Sequence, residues 1–176
     1  MDAKPQYVVQ PLEKQTRAAF HCGNELLDKY FLERASRDVR ENLSAVFVLL
    51  NVSDPDAVLG YYTLSTLQID TGDIPDELRK RGGRYKNVGA ILIGRLAVAQ
   101  EHAGKGLGEI LLMDALKKSL DSTKNIAAFA VVVDAIDEKA AAFYRKYGFM
   151  PLRENRLFLP MKTIQQLFES QSFIYL

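Results

Sequence analysis

The feature that most constrains this chain is Gly104-Lys105-Gly106-Leu107-Gly108, set between two apolar segments. Val88–Ala99 before it is rich in β-branched and aliphatic residues and reads as a strand. Glu109–Leu120 after it reads as a helix, with Ile110, Leu111, Met113, Ala115 and Leu116 expected inward. Glycines at alternate positions let the backbone approach a ligand closely. The helix behind them presents unpaired amide hydrogens and the positive end of its dipole. Strand, loop and helix together suit a pyrophosphate, though the same spacing also fits a glycine-rich turn with no ligand. A Walker loop needs Ser or Thr after Gly-Lys and an earlier glycine; here Gly106 and Ala99 stand in those places. The dinucleotide fingerprint needs a glycine where Glu109 stands.

The rest of the chain reads as mostly strands first, then strand–helix–strand–helix–strand. Tyr7–Leu12 is a first strand, and Asn24 caps a helix with Leu26, Leu27, Tyr30, Phe31 and Ala35 inward. Ala45–Val52 and Val58–Ile69 form an antiparallel hairpin around a turn at Asp54-Pro55-Asp56. A short helix lies between Pro75 and Gly82-Gly83. Ile126–Val133 is a central strand, and Asp137 opens a helix closed by Gly148. Phe149–Leu152 and Arg156–Met161 are late strands, and Thr163–Glu169 is a last helical turn or two. The class is α+β, a mixed sheet with at least one parallel crossover.

At 176 residues the chain, 1–176, is expected to be a single domain, since domains run to roughly 100–200 residues. A tail over 170–176 is either flexible or forms an interface, Phe173-Ile174-Tyr175-Leu176 being apolar. One cysteine, Cys22, excludes an internal disulfide and suits a reducing cytoplasm. No signal peptide is expected at the start, and no run approaches the ~18–20 apolar residues of a membrane span. Lys+Arg number 23 and Asp+Glu 22, a net charge of +1, so bulk charge does not hold this protein to nucleic acid. The balance conceals Arg79-Lys80-Arg81-Gly82-Gly83-Arg84-Tyr85-Lys86, with five cations and no acid. Such a run is either a solvated loop or a phosphate-contacting patch. His21 and His102 lack companion ligands, so no metal is expected. Tyr61 and Tyr62 alternate along a strand, so one is expected to face in and one out.

The loop from Ala103 to Gly108 resembles the acyl-CoA loop of the GNAT N-acetyltransferases, whose pattern is Gln/Arg-x-x-Gly-x-Gly/Ala. Gly106 and Gly108 fill its small positions. Ala103 replaces the usual Gln or Arg, which removes a side-chain contact and leaves the backbone cradle. Gly94-Arg95-Leu96-Ala97-Val98 stands where the family pairs main-chain groups with pantetheine. Asp137 to Phe149 looks like the family's Asn-x-x-Ala-x-x-Phe-Tyr-x-x-x-Gly-Phe segment, with Asp137, which accepts but cannot donate, for Asn. The resemblance implies the GNAT acyl-CoA N-acyltransferase fold, a mixed, mostly antiparallel sheet flanked by helices. It also implies acetyl-CoA as cofactor. Its expected contacts are Leu96, Ala97, Val98, Ala103, Gly104, Lys105, Gly106, Leu107, Gly108, Glu109, Asp137 and Phe143.

Within that family the sequence resembles the toxin acetyltransferases that modify aminoacyl-tRNA. The residues carrying this are Phe20-His21-Cys22-Gly23, Leu27-Asp28, Phe31-Leu32, Gly60-Tyr61-Tyr62-Thr63-Leu64-Ser65 and Val133-Asp134-Ala135. The resemblance implies Tyr144 as the catalytic residue, Arg95 near the site, a homodimer and a ribbon-helix-helix antitoxin as partner. The chemistry supports a phenol as general acid, because a leaving thiolate has a conjugate pKa near about 8.5 and tyrosine near about 10. No acid lies in Val88–Ala99 to deprotonate a lysine ammonium of pKa about 10.4, whereas an α-amine near about 7.7–8.0 is partly neutral already. Arg79, Lys80, Arg81, Arg84 and Lys86 are then candidate acceptor contacts, together with Arg95. Acetylation of small amines or protein N-termini on the same scaffold, and a non-catalytic CoA- or partner-binding module, remain as alternatives.

Overall fold

The computed structural model describes residues 6–82 and 84–172, without the side chains of residues 80–82 and 172. The tail expected from Phe173 to Leu176 lies outside the described residues. The elements are β1 (Tyr7–Pro11), α1 (Glu25–Glu33), α2 (Ala35–Arg40), β2 (Ala45–Asn51), β3 (Asp54–Asp70), α3 (Asp76–Gly82), β4 (Asn87–Val98) and α4 (Leu107–Ser122). There follow β5 (Ala130–Asp134), α5 (Glu138–Lys146), β6 (Met150–Arg153), β7 (Arg156–Pro160) and α6 (Met161–Ser172). The strands hydrogen-bond in the order β1-β2-β3-β4-β5-β7-β6. The β4–β5 pair is parallel, whereas β1–β2, β2–β3, β5–β7 and β6–β7 are antiparallel. This is the mixed, mostly antiparallel sheet that the sequence implied.

The chain packs as two compact units. The first takes the described chain up to Ser65 and Gly94–Ala115; the second takes Thr66–Ile93 and the described chain from Leu116 onward.

In the first unit, Asn24 caps α1 by accepting from Leu27 N at 3.1 Å. Tyr30 and Phe31 are buried, but Leu26, expected inward, is 79% exposed. At ~100° per residue Leu27 sits mid-arc between Tyr30 and Phe31, and Leu26 falls about 90° off it. Tyr61 packs on Phe20, Phe31 and Tyr30, while Tyr62 stacks on Phe47 and donates to Asp114 Oδ2 at 2.6 Å. The tyrosines do face opposite ways, yet both are fully buried, because α1 covers one face of β3 and α4 the other. The turn after β2 falls at Val52-Ser53 rather than at Asp54-Pro55-Asp56, which begins β3. Asn51 Oδ1 accepts from Ser53 N and Oγ at 2.9 and 2.7 Å, closing the turn locally.

Gly60 marks the closest approach of backbone in this unit. A Cβ there would stand 2.8 Å from Ala97 O and 2.8 Å from Leu111 Cδ1. Gly60→Ala is expected to destabilise by about 1–3 kcal/mol, because the backbone oxygen cannot give way as a side-chain tip can. Urea unfolding checks this: the midpoint falls at unchanged slope.

α4 starts at Leu107, so Gly108 and Glu109 lie in its first turn. Its buried residues include Leu107, Leu111, Leu112, Ala115 and Leu116; Ile110, expected inward, is exposed.

In the second unit, Ile69, Ile74, Ala90, Ala130, Val132 and Phe158 form the core. β5 starts at Ala130, later than expected, and Ile126 is exposed. The amides of Thr123 to Ile126 bond back to carbonyls of Leu120, Asp121 and Ser122, so this stretch is turn rather than strand. Asp137 caps α5, Gly148 has φ +93° at its end, and α6 runs longer than expected.

Candidate active site

A 3-10 turn at Gln100–His102 delivers the chain to the glycine loop. Gly104 and Gly106 both have φ +78°, the left-handed region that other residues enter only at a cost. A Cβ at either would meet nothing within 4 Å. The glycines therefore serve the backbone's conformation, and the space above them is open. Leu107 is buried and anchors the first turn of α4, whose leading amides have no helical acceptor. Lys105 Nζ lies 3.1 Å from His102 Nδ1, so with lysine donating, the imidazole accepts there. The other ring nitrogen lies 3.6 Å from Glu101 Oε1. The loop has the makings of a diphosphate cradle: backbone amides at a helix start, open space above the glycines and the exposed Lys105 cation. Ala103 is exposed and Glu109 points outward from the first turn.

The parallel ladder between β4 and β5 ends at Ile93↔Val133, and β4 runs on through Gly94–Val98. β5 is thus registered against only the first part of β4, and the cofactor candidates Leu96, Ala97 and Val98 lie on the part that continues past it. Leu96 and Val98 are half-buried, and Ala97 is buried beside Phe20, Phe31 and Tyr61. Arg95 lays its guanidinium over the Tyr30 ring, 3.5 Å from the centroid. Tyr30 in turn donates to Asp38 Oδ2 at 2.9 Å, and burial first, then this carboxylate, push its phenol up to about 12. Tyr30 and Asp38 are absent from the sequence-based candidates, because their pairing depends on the break between α1 and α2 at Arg34, which periodicity does not show.

In the second unit Tyr144 is 7% exposed on α5. Its ring packs edge-on to Phe143 at 5.2 Å and tilted against Phe149 at 5.5 Å. Among the described residues its hydroxyl makes no hydrogen bond, and burial pushes its phenol above the ordinary value. It is thus a protonated donor without a protein acceptor. Phe143 is half-buried and also packs edge-on to Tyr147. Asp137 Oδ1 accepts from Ala140 N at 2.7 Å, so this oxygen holds the helix start. A bidentate pair, Arg156 to Asp134 at 2.7 and 3.0 Å, fixes the end of β5 just before it. Sequence reading misses this pair, which depends on the register of β5 against β7.

The cationic segment divides. Arg79 turns inward, donating to Thr71 O, Gly72 O and Ile74 O at 3.1–3.3 Å and pairing with Asp76 at 3.2 Å. This candidate acceptor contact thus braces the turn at Thr71–Ile74, adding a donor to Thr71 O, which also accepts from Ile74 N, and to Gly72 O and Ile74 O. Arg84 and Lys86 are exposed. Lys80 and Arg81 lie in α3, with side chains outside the described residues.

Elsewhere, burial pushes the Cys22 thiol up to about 11, and it donates to Asn24 O, which makes it no nucleophile at neutral pH. Among the described residues no cluster of metal-ligating side chains exists, and no helix is long and apolar enough to cross a membrane. A cavity of about 780 Å³ in the first unit is lined by Phe20, His21, Asp54, Asp56, Gln100 and His102 among others, none of them an expected site residue.

Residues 42–151 match the acetyltransferase (GNAT) domain, a stretch that contains both the glycine loop and Tyr144. The chain is 31% identical over 151 residues to a tRNA-acetylating toxin of Mycobacterium tuberculosis, covering 85% of this chain and 88% of that one. It is similar to the structure of AtaT complexed with acetyl-methionyl-tRNAfMet, at TM-score 0.86 and 28% identity, covering 92% and 99%. It is also similar to a tyrosine-to-phenylalanine AtaT toxin bound to acetyl-CoA and the C-terminus of the antitoxin AtaR. There the TM-score is 0.80 and the identity 26%, covering 93% and 99%. On this fold, with a cradle whose open glycines suit a diphosphate, that match settles the family: the chain belongs to the GNAT acetyltransferases, enzymes dependent on acetyl-CoA.

Proposed function

We propose that this enzyme acetylates the α-amine of aminoacyl-tRNA and so blocks translation. The observation that carries the catalytic part is Tyr144, a buried phenol held protonated and without an acceptor among the described residues. Acetyl-CoA, when bound, supplies an acetyl group activated as a thioester. The amides of the loop Gly104–Gly108 and the first turn of α4 hold the diphosphate, with Lys105 adding charge. Leu96, Ala97 and Val98 offer main-chain groups to the pantetheine arm and to the thioester oxygen. As the neutral α-amine forms the amide bond and the carbon–sulfur bond breaks, the Tyr144 hydroxyl would donate its proton to the sulfur and regain one from the acetylated nitrogen, directly or through water, with Phe143 bracing the tyrosine ring. The absence of an acid in Val88–Ala99 suits an α-amine, which needs less help to lose its proton than a lysine does. Arg95 and the exposed Arg84 and Lys86, with Lys80 and Arg81, take phosphates of the RNA. Support for the acceptor comes from the likeness to the tRNA-acetylating toxin and to AtaT with its acetylated tRNA.

The same reading carries a homodimer working in the cytoplasm and neutralised by a ribbon-helix-helix antitoxin. The AtaT complex with the C-terminus of AtaR supports an antitoxin as partner.

The test is product analysis with charged tRNA beside free polyamines and peptides. Charged tRNA is expected to be acetylated, with its affinity falling about tenfold for a fourfold rise in salt if two cations contact phosphate. Turnover of a free amine with charged tRNA left unmodified would select the small-amine alternative. An affinity that does not change with salt would remove the phosphate contacts.

A further inference from the structure

We propose that Tyr85 is a stacking platform for an unpaired base of the RNA acceptor, with Arg84 and Lys86 on the phosphates beside that base. This rests on the aminoacyl-tRNA reading and adds to it the residue that selects the single-stranded end.

Tyr85 is 70% exposed, and among the described residues no other aromatic belongs to the exposed large hydrophobics. An exposed phenol ring on a mobile tip would mean little, but this backbone is held. Thr71 is buried, its Oγ1 lies 2.8 Å from Tyr85 O and 3.0 Å from Lys86 O, and its N–H donates to Lys86 O at 2.9 Å. The turn that carries Thr71 is itself knitted by Arg79 on its carbonyls and by Asp70 accepting from Gly72 N at 2.7 Å. The ring is therefore presented on a fixed frame, which lowers the ordering cost of binding.

The charges agree. Two of the acids in this region have other cations as partners: Asp76 lies 3.2 Å from Arg79, and Asp73 lies 3.9 Å from Arg153. Among the described residues neither Arg84 nor Lys86 has an ion pair. A cation, an exposed aromatic face and a second cation in sequence match a single strand, whose bases offer π faces and whose backbone offers phosphates. Bases inside a duplex are already stacked on each other. The platform thus takes an unpaired base, and the aminoacylated end of tRNA is single-stranded.

The experiment measures binding of the full-length protein to uncharged tRNA and to the same tRNA trimmed of its single-stranded 3′ end, across a salt series. Tyr85→Ala and Tyr85→Leu are expected to weaken binding to intact tRNA about tenfold with an unchanged salt slope, and Tyr85→Trp to restore it. Trimmed tRNA should bind wild type and Tyr85→Ala alike. Arg84→Ala and Lys86→Ala should each lower the salt slope by about 0.7. Wild-type affinity in Tyr85→Ala, or an equal loss on trimmed tRNA, would overturn the proposal. So would wild-type binding of intact tRNA by Tyr85→Leu, since bulk without a planar face would then suffice. Acetylation of charged tRNA by wild type is assayed alongside; its absence would remove the aminoacyl-tRNA reading, whereas a silent Tyr85 beside active acetylation would remove only the platform.

Discussion

Tyr144→Phe is expected to lower kcat for acetyl transfer by about 10²–10³-fold, with the KM for acetyl-CoA and the melting temperature close to wild type. Only the oxygen leaves. The ring keeps its contacts with Phe143 and Phe149, and no hydrogen bond to the described residues is broken. The loss therefore falls on the step in which the sulfur departs, which needs a proton. Burial raises the phenol above its ordinary value, so Tyr144 enters each turnover protonated throughout the neutral range, and the tyrosinate left by transfer regains its proton from the nitrogen that forms the amide, directly or through water. The sign for stability follows. A raised phenol favours the fold fully below the unfolded value of about 10, and that contribution is lost as pH rises through the folded value. Single-turnover rates and thermal unfolding of the two proteins decide the matter. An unchanged rate in Tyr144→Phe would remove the general acid and leave another donor, such as water, in its place.

Gly106→Val is expected to raise the KM for acetyl-CoA about tenfold or more. The residue sits at φ +78°, where an L side chain costs roughly 1–2 kcal/mol, and its Cβ would enter the open space above the loop. A diphosphate bound by amides needs that space and that conformation together. Gly148→Ala is the control. It is strained in the same way at φ +93°, and its Cβ would touch only Leu159 Cδ1 at 3.6 Å. The two variants should lose comparable stability, but only Gly106→Val should lose cofactor affinity in calorimetric titration with CoA. A KM shift in both would mean that general loosening, rather than the cradle, explains the first.

Local signals were the legible ones. Asn24 and Asp137 could be assigned as caps because a cap requires only a side-chain oxygen and the amide three residues on. The glycine loop was legible because spacing alone distinguishes it from the two better-known phosphate loops. What stayed hidden depends on partners far away in sequence. Tyr62 is buried because Asp114, 52 residues later, receives its hydroxyl, and alternation along one strand says nothing of a second covering layer. Arg79 reads as one of a run of cations, yet it donates to three carbonyls of a short turn, a pairing that needs the turn's geometry. The Arg95–Tyr30–Asp38 stack and the Arg156–Asp134 pair likewise need the register of elements, not their existence. The placement of Ile110 and Leu26 outside the core shows the remaining limit: periodicity gives an apolar arc, but its edges are set by what packs against it.

The ladder that stops at Ile93 while β4 continues has a consequence beyond catalysis. A strand edge that no neighbouring strand pairs is a template for an extended polypeptide, and proteins normally blunt such edges with charge, proline or a covering element. Gly94–Val98 carries one cation, Arg95, which is drawn flat onto Tyr30. If the proposed pantetheine contact holds, the cofactor itself would supply the missing edge partner, and loading with acetyl-CoA should lower self-association of the protein.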